Sequence, residues 1–463
     1  MTLLDDLAGL LGDELLIDDD ARRSRARDTW PRSEFDQWQG RLVLPFAVVT
    51  PSTTEKLAET VRLCRAHGVS MIPRGAGSGC VGGVLASPDS VVISTEGISG
   101  LRSLDPVDGL ASFGAGTMGI DAENRVRQDG FTIGHWPQSI EISSVGGWVA
   151  TRASGQYSTA YGNIEDILYA VEAVLPDGSI YRSRPTPRAS AGPDLRQLLL
   201  GSEGTLGIIT EVTFSLRPLP EPGVRQAFHF EDMNAGIEAV RSVIAPGWRP
   251  PVVRLYDAGE TRRHFRDHVP KGRCVAIFLH EGPPGHAALE AAAVAELCRA
   301  GEGEQADPGA VDHWFEHRNT VPTWTELFEQ GLVADTIEVA TGWRHLARLH
   351  KAVIEAINGV PSVIAATAHS SHAYRSGTNL YFTFAAQPSG PEEYQSVYDA
   401  CWTAAMQAAT GCGAGISHHH GIGRVRRPWM ADELGDAGAG VLRVVKAALD
   451  PDNLMNPGVL VPD

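Results

Sequence analysis

Apolar residues recur at helical spacing from the first positions of the chain. Leu3, Leu4, Leu7, Leu10 and Leu11 share one side of a short amphipathic helix predicted over 2–16. A charged, variable segment follows to about Gly40. The run LVLPFAVVTPSTTEKLAETVRLCRAHGVSMIPRGAGSG then reads as strand, cap, helix, glycine stop and second strand. Ser52 or Thr53 caps a helix carrying Leu57, Val61 and Cys64 at helical spacing, and Gly68 ends it. Short alternating strands and turns occupy the next segments, with a helix predicted near 119–129 and stopped by Gly130.

The stretch Pro137–Gly155 reads as a turn followed by a buried strand–turn, with Ile140 and Ile142 alternating among small hydroxyls before Gly146, Gly147 and Trp148. Tyr161–Asp166 leads into the alternating strand ILYAVEAVLPDG. A short helix at Asp194–Leu200 then precedes GSEGTLGIITEVTFSLRPLPE, a small-residue loop and a strand. Pro218, Pro220 and Pro222 mark the clearest linker, and a domain boundary is placed there. The second half alternates strands (VRQAFHF, PVVRLYD, GRCVAIFLHEG, 332–339) with helices, including 284–303. It ends in a hairpin, AHSSHAYRSGTNLYFTFAA, the segment GISHHHGIGRVRRPWM and a last helix.

Read as a pattern, Gly77–Gly82 matches GxGxxG, the fingerprint of a helix-backed dinucleotide loop. That motif requires a crossover helix, and the few residues between Gly83 and the strand Val91–Ser94 include Pro88 and leave no room for one. A glycine loop that clasps a pyrophosphate through backbone N–H groups, with no helix behind it, remains open.

The net charge of −17 over 463 residues argues against a nucleic-acid partner, which needs a Lys/Arg-rich surface. Six cysteines without CxxC spacing suit reduced thiols and a cytoplasmic location. The N-terminus lacks the pattern of a signal peptide, and no apolar run reaches the length of a membrane span. The chain is long enough for two or three domains with their own cores.

Taken together and in order, PRGAGSG, PQSIEISSVGGWVATRASG, YGNIED and GSEGTLGIITE resemble the FAD domain of the vanillyl-alcohol-oxidase/PCMH flavoprotein superfamily, and within it the alkylglycerone-phosphate (alkyldihydroxyacetonephosphate) synthase branch. The resemblance runs over nearly the whole chain from about residue 30. It implies an α+β fold: a PCMH-type FAD-binding domain over 1–217, a cap or substrate domain with an antiparallel sheet over 218–424, and a segment over 425–463 that returns to the first. It also implies that Pro73, Arg74, Gly75, Ala76, Gly77, Ser78 and Gly79 cradle the FAD pyrophosphate. Gln138, Ser139, Ile140, Ser143, Ser144, Gly147, Thr151 and Ser154 would line flavin and ribityl, and Glu203, Gly204, Thr205, Gly207 and Ile209 would complete the adenosine side. The loop lacks the histidine that several relatives link to flavin, so the FAD is expected to be non-covalent.

In the second half, Arg254 is a charge inside an apolar strand, costly unless paired or used on an anion; the resemblance gives it a part in activity. Trp324 stands where the synthase carries a phosphate-binding arginine, which argues against a phosphorylated ketone and for an apolar or aromatic substrate. His369 and His372 on the first hairpin strand join Trp324 as candidate substrate residues. By the same resemblance Tyr381 is the proton donor and acceptor, and His418, His419 and His420 are needed for activity. Related 2-hydroxyacid dehydrogenases bind zinc in this region, but adjacent histidines on a strand point to opposite sides, and no metal is expected.

The expectation is thus an FAD-dependent oxidoreductase that oxidises a small or apolar alcohol, amine or hydroxy acid by hydride transfer to flavin N5. Oxygen is one candidate acceptor and a homodimer one candidate assembly. Two alternatives stay open: a true synthase, exchanging acyl for alkyl through a flavin N5 adduct, and a non-catalytic flavin-binding protein.

Overall fold

The computed structural model describes residues 2–320 and 323–462. The opening helix spans Leu3–Leu11, closed by a capping box of Thr2 and Asp5, with Leu3, Leu7 and Leu11 buried. Thr53 caps the helix Thr54–Ala66 between the strands Ala47–Val49 and Ser70–Arg74. Both strands pair in parallel with Ser90–Ser94, and Leu15–Leu16 adds an antiparallel edge. Residues 75–89 contain no helix, so the glycine loop stands without a helix behind it.

A second, antiparallel sheet has the order Leu101–Asp105, Leu110–Gly114, Ile208–Ser215, Leu168–Val174, Ile180–Arg182. Its core joins Phe113, Phe214 and Trp148. The stretch Pro137–Gly155, which supplies Trp148, is not the buried strand that its alternation suggests. Val145–Thr151 is a helix, capped by the Ser144 hydroxyl on the Gly147 N–H. The cap outweighs the low helix propensity of Gly146 and Gly147 because the turn buries Val145, Trp148 and Val149.

The cap region is built on one eight-stranded antiparallel sheet. Its order is Glu304–Gln305, Val224–Phe230, Cys274–His280, Val252–Tyr256, Val363–Ser370, Gly377–Ala386, Val333–Gly342, with Ala373–Tyr374 against Gly377–Ala386. Period-two alternation divides the faces. Val253, Leu255, Leu380, Phe382 and Phe384 pack under helices that include Met233–Ile244, Leu346–Asn358 and Tyr394–Gly411. Val252 and Tyr256 face the other way, toward Tyr157 and Trp314.

The charged segment before Gly40, expected to be variable, contains the helices Asp19–Arg25 and Pro31–Trp38. Phe35 of the second packs on Phe328 (5.5 Å between ring centroids) and Tyr394 (5.2 Å), inside the cap core. At the other end, Met455 pairs with Met71, and the Asn456 amide donates to the carbonyls of Gly83 and Glu203.

Candidate active site

Three chain segments and the inner face of the cap sheet enclose one cavity of about 750 Å³. The glycine loop is its first wall. The Arg74 guanidinium donates to the carbonyls of Gly75 (3.1 Å) and Ala76 (3.0 Å), folding the loop over its own side chain. Gly77 has φ +78°, and a Cβ there would lie 2.6 Å from that guanidinium. A Cβ on Gly75 would collide with the Ser144 hydroxyl. The backbone of Gly77 therefore calls for glycine, and a side chain at Gly75 would displace the hydroxyl that accepts from the Gly147 N–H.

The second wall is the turn and helix after Pro137: Gln138, Ser139, Ser143, Ser144, Gly147, Thr151 and Ser154 line the cavity. The Gln138 amide donates to the Thr320 carbonyl (2.6 Å), and the Ser154 hydroxyl to the Asn163 amide oxygen (2.7 Å). The third wall carries Glu203, Gly204, Gly207 and Ile209. Two expected wall residues lie elsewhere. Ile140 is wholly buried among Val126, Ile133 and Trp148, where its apolar surface is worth more than on a polar wall. Thr205 is buried too; its hydroxyl serves the Ser202 carbonyl and its own carbonyl accepts from the Lys446 ammonium.

The fourth wall follows from strand register. Tyr256 lies opposite His369, His369 opposite Tyr381, and Tyr381 opposite Glu338, a row across four strands. The His369 ring stacks between Tyr256 (5.1 Å) and Tyr381 (4.8 Å). Arg254, two residues before Tyr256 on the same face, donates from Nε to the Tyr256 oxygen (2.7 Å), and its Nη2 lies 2.9 Å from His369 Nε2. Glu260, 2 % exposed, stands 3.5 Å from His369 Nδ1. Sequence reasoning missed Glu260, because nothing in its helix distinguishes it from a surface acid.

His418, His419 and His420 are not on a strand; they sit in a tight loop folded around Glu338. The Glu338 carboxylate accepts from the N–H groups of His418 and His420 (2.8 Å for the latter) and from the Ser417 hydroxyl (3.1 Å), and it pairs with Arg426 at 3.2 Å. Glu338 and Arg426 are both fully buried. The loop presents His419 and His420 to the cavity, with ring centroids 6.0 and 5.3 Å from that of Tyr381. His418 points behind the wall, its Nε2 2.7 Å from the Tyr374 oxygen and its Nδ1 2.9 Å from His419 Nδ1. His372 has left the hairpin strand for the break after Ser370, with Nδ1 2.6 Å from the Ser158 oxygen. Ligating atoms of His372, His418 and His419 lie within 4.8 Å of one another, so strand alternation does not keep them apart. Both ring nitrogens of His418 are, however, engaged by neighbours.

Burial governs the charge states. It pushes the Tyr381 phenol up, aided by the negative field of nearby Cys80, Asp335 and Glu338. It pushes His418 and His419 down to about 3 and His420 to about 4, and lowers His369 and His372 as well. Burial also opposes the Glu338 charge, but Arg426 and the facing His420 and His419 hold that carboxyl below the ordinary carboxylate range.

The cavity has two unlike ends. Trp324, Leu327, Leu332, Ala334, Phe384 and Ala385 line an apolar one, where the Trp324 indole N–H donates to the Thr29 carbonyl (3.2 Å). Arg254, Arg263, His264 and Arg318 line a cationic one. Arg318 donates to the Tyr157 hydroxyl (2.6 Å) with its guanidinium over Trp136 (4.4 Å).

Residues 45–184 match the FAD binding domain family, and residues 219–460 match the C-terminal domain of FAD linked oxidases. The uncharacterized FAD-linked oxidoreductase YgcU of Escherichia coli (strain K12) is 32 % identical over 99 % of this chain and 98 % of its own length. This chain is a FAD-linked oxidoreductase of the VAO/PCMH superfamily. The flavoprotein is also 30 % identical to the alkyldihydroxyacetonephosphate synthase of Caenorhabditis elegans, over 90 % of this chain and 76 % of the synthase. A solved alkyldihydroxyacetonephosphate synthase superposes with a TM-score of 0.83 at 26 % identity, covering 99 % of this chain and 86 % of that one.

The cavity fits the cofactor that the family implies. Its volume lies within the roughly 300–1,000 Å³ of ligand sites, its first wall is glycine backbone where a Cβ would collide, and the buried Arg74 Nε has no partner among the described residues.

Proposed function

We propose that the flavoprotein oxidises a small or apolar alcohol, amine or hydroxy acid, with FAD held non-covalently between the three glycine- and serine-rich walls. One observation carries this reading: Tyr381, His369, His419 and His420 line the same cavity as the glycine loop. Pro73–Gly79 would hold the pyrophosphate, Gln138, Ser139, Ser143, Ser144, Gly147, Thr151 and Ser154 the flavin and ribityl, and Glu203, Gly204, Gly207 and Ile209 the adenosine side. Bound FAD supplies the two-electron acceptor for the substrate's hydride.

The remaining chemistry belongs to the chain. At neutral pH the cavity presents a protonated phenol and uncharged imidazoles. Tyr381 hydrogen-bonds and orients the reacting oxygen or nitrogen, and a neutral imidazole of His419 or His420 takes its proton as the hydride leaves. Tyr381 keeps its own proton through the step, and the imidazolium gives the transferred proton to solvent as the product leaves. Arg254 holds an anionic group where the substrate has one, and the apolar end around Trp324 takes its body. Oxygen or another carrier takes up the electrons, and a homodimer is the proposed assembly.

The second reading is a redox-neutral synthase, favoured by the similarity to alkyldihydroxyacetonephosphate synthases and opposed by Trp324, whose indole cannot replace a guanidinium on a phosphate. Anaerobic mixing with alcohols, amines, 2-hydroxy acids and acyl-dihydroxyacetone phosphate separates the two. Bleaching of the flavin by a member of the first three classes supports oxidation. A response to the last alone overturns it.

A further inference from the structure

A second histidine cluster lies on the cavity rim, away from the Tyr381 row. His313, Glu316 and His317 occupy positions i, i+3 and i+4 of the helix Gly309–His317, and one ligating atom of each lies within 4.8 Å of the other two. Residues so spaced share one helix face. The two imidazoles stand 4.3 Å apart between ring centroids. His317 Nδ1 lies 2.8 Å from the His313 carbonyl, so Nδ1 carries the hydrogen and Nε2 keeps its lone pair for a ligand. His268 flanks His313 at 5.6 Å between ring centroids, with its Nδ1 3.0 Å from the Asp307 carboxylate. Hydrogen bonds to the outer nitrogen are the device by which metal sites orient their histidines.

We propose that His313, Glu316 and His317 bind a divalent cation of the zinc class at the mouth of the cavity. Two imidazole nitrogens and one carboxylate oxygen suit zinc, cobalt(II) or nickel(II); calcium and magnesium prefer all-oxygen cages. Three protein ligands leave coordination positions for water, as in exchangeable sites. His313 and His317 line the cavity together with Trp314 and Arg318. An ion held there adds positive charge to the cationic end, beside Arg318. The site does not depend on which substrate the flavoprotein oxidises.

The test is a cobalt(II) titration of the purified holoenzyme, followed by the visible absorption of the bound ion and by calorimetry, with zinc as competitor. One saturable site per chain is expected, displaced by zinc. It should be lost in His313→Ala/His317→Ala and kept in His372→Ala, which removes the other convergent histidine set. His317→Gln, at an exposed position, gives a gentler variant if the double change disturbs folding, and it should also lose the site. Absence of saturable binding, persistence in the double variant, or loss in His372→Ala would overturn the assignment.

Discussion

Tyr381 and the histidines beside it are each held in one protonation state by burial, and this has a measurable consequence. With His418 and His419 pushed down to about 3 and His420 to about 4, the imidazoles stay neutral throughout the ordinary working range. Activity that needs a neutral imidazole is therefore lost only as pH falls toward 4. The acid limb of the kcat/KM profile should lie below about pH 5, well under the usual histidine value near 6.5; a limb near that usual value would show that none of these imidazoles is the base. Trp324 is the residue that separates substrates. Trp324→Arg should let acyl-dihydroxyacetone phosphate perturb the flavin spectrum where the parent protein gives no response. It should also weaken turnover of apolar substrates, because a flat indole face is exchanged for a charge.

At the scale of elements, the site is a cross-strand row plus a loop tied to its end. Glu338 makes that loop. Glu338→Gln leaves Arg426 buried without a counter-charge, a loss on the order of 3–5 kcal/mol for a broken buried pair. A lower melting temperature and a weakened rate are expected together; a change in rate alone would mean that Glu338 does not anchor the fold of the loop.

The sequence carried part of this. Arg254 was legible as a lone charge in an apolar strand, and Glu338, in DTIEVATG, bears the same signal with the opposite sign. Its partners could not be read, because they come from a loop about eighty residues later. The histidine triplet was visible, but its loop geometry depends on that distant carboxylate, so strand alternation was the wrong frame. The helix Val145–Thr151 was hidden by its two glycines, although Ser144 offered a cap. The resemblance placed Ile140 and Thr205 on the cavity with the rest of their segments, and packing turned both inward.

Across the whole molecule, Glu203 joins the two halves. Its carboxylate accepts from the N–H groups of Ile422 (2.7 Å) and Gly423 (2.8 Å), just beyond the histidine loop. Burial pushes it up to about 7 from an ordinary 4.5. The folded protein thus keeps a proton that the unfolded chain releases. The associated stability is complete below pH 4.5 and is lost as pH rises through 7, by about 1.4 kcal/mol for each pH unit of that interval. Glu203→Gln should remove this component. Thermal melts of the variant and its parent should diverge across pH 4.5–7 and run parallel above it; parallel melts throughout would show that Glu203 is not the titrating joint.

The central claim is that the FAD cradle and the Tyr381–histidine row serve one reaction. Stopped-flow reduction of the bound flavin by substrate, without oxygen, tests it in the parent protein and in Tyr381→Phe. Both should carry the same amount of FAD with the same spectrum, and the variant should reduce it about 10²–10³ times more slowly, the range of a lost preorganised hydrogen-bond donor. Equal rates in the two proteins would contradict the account.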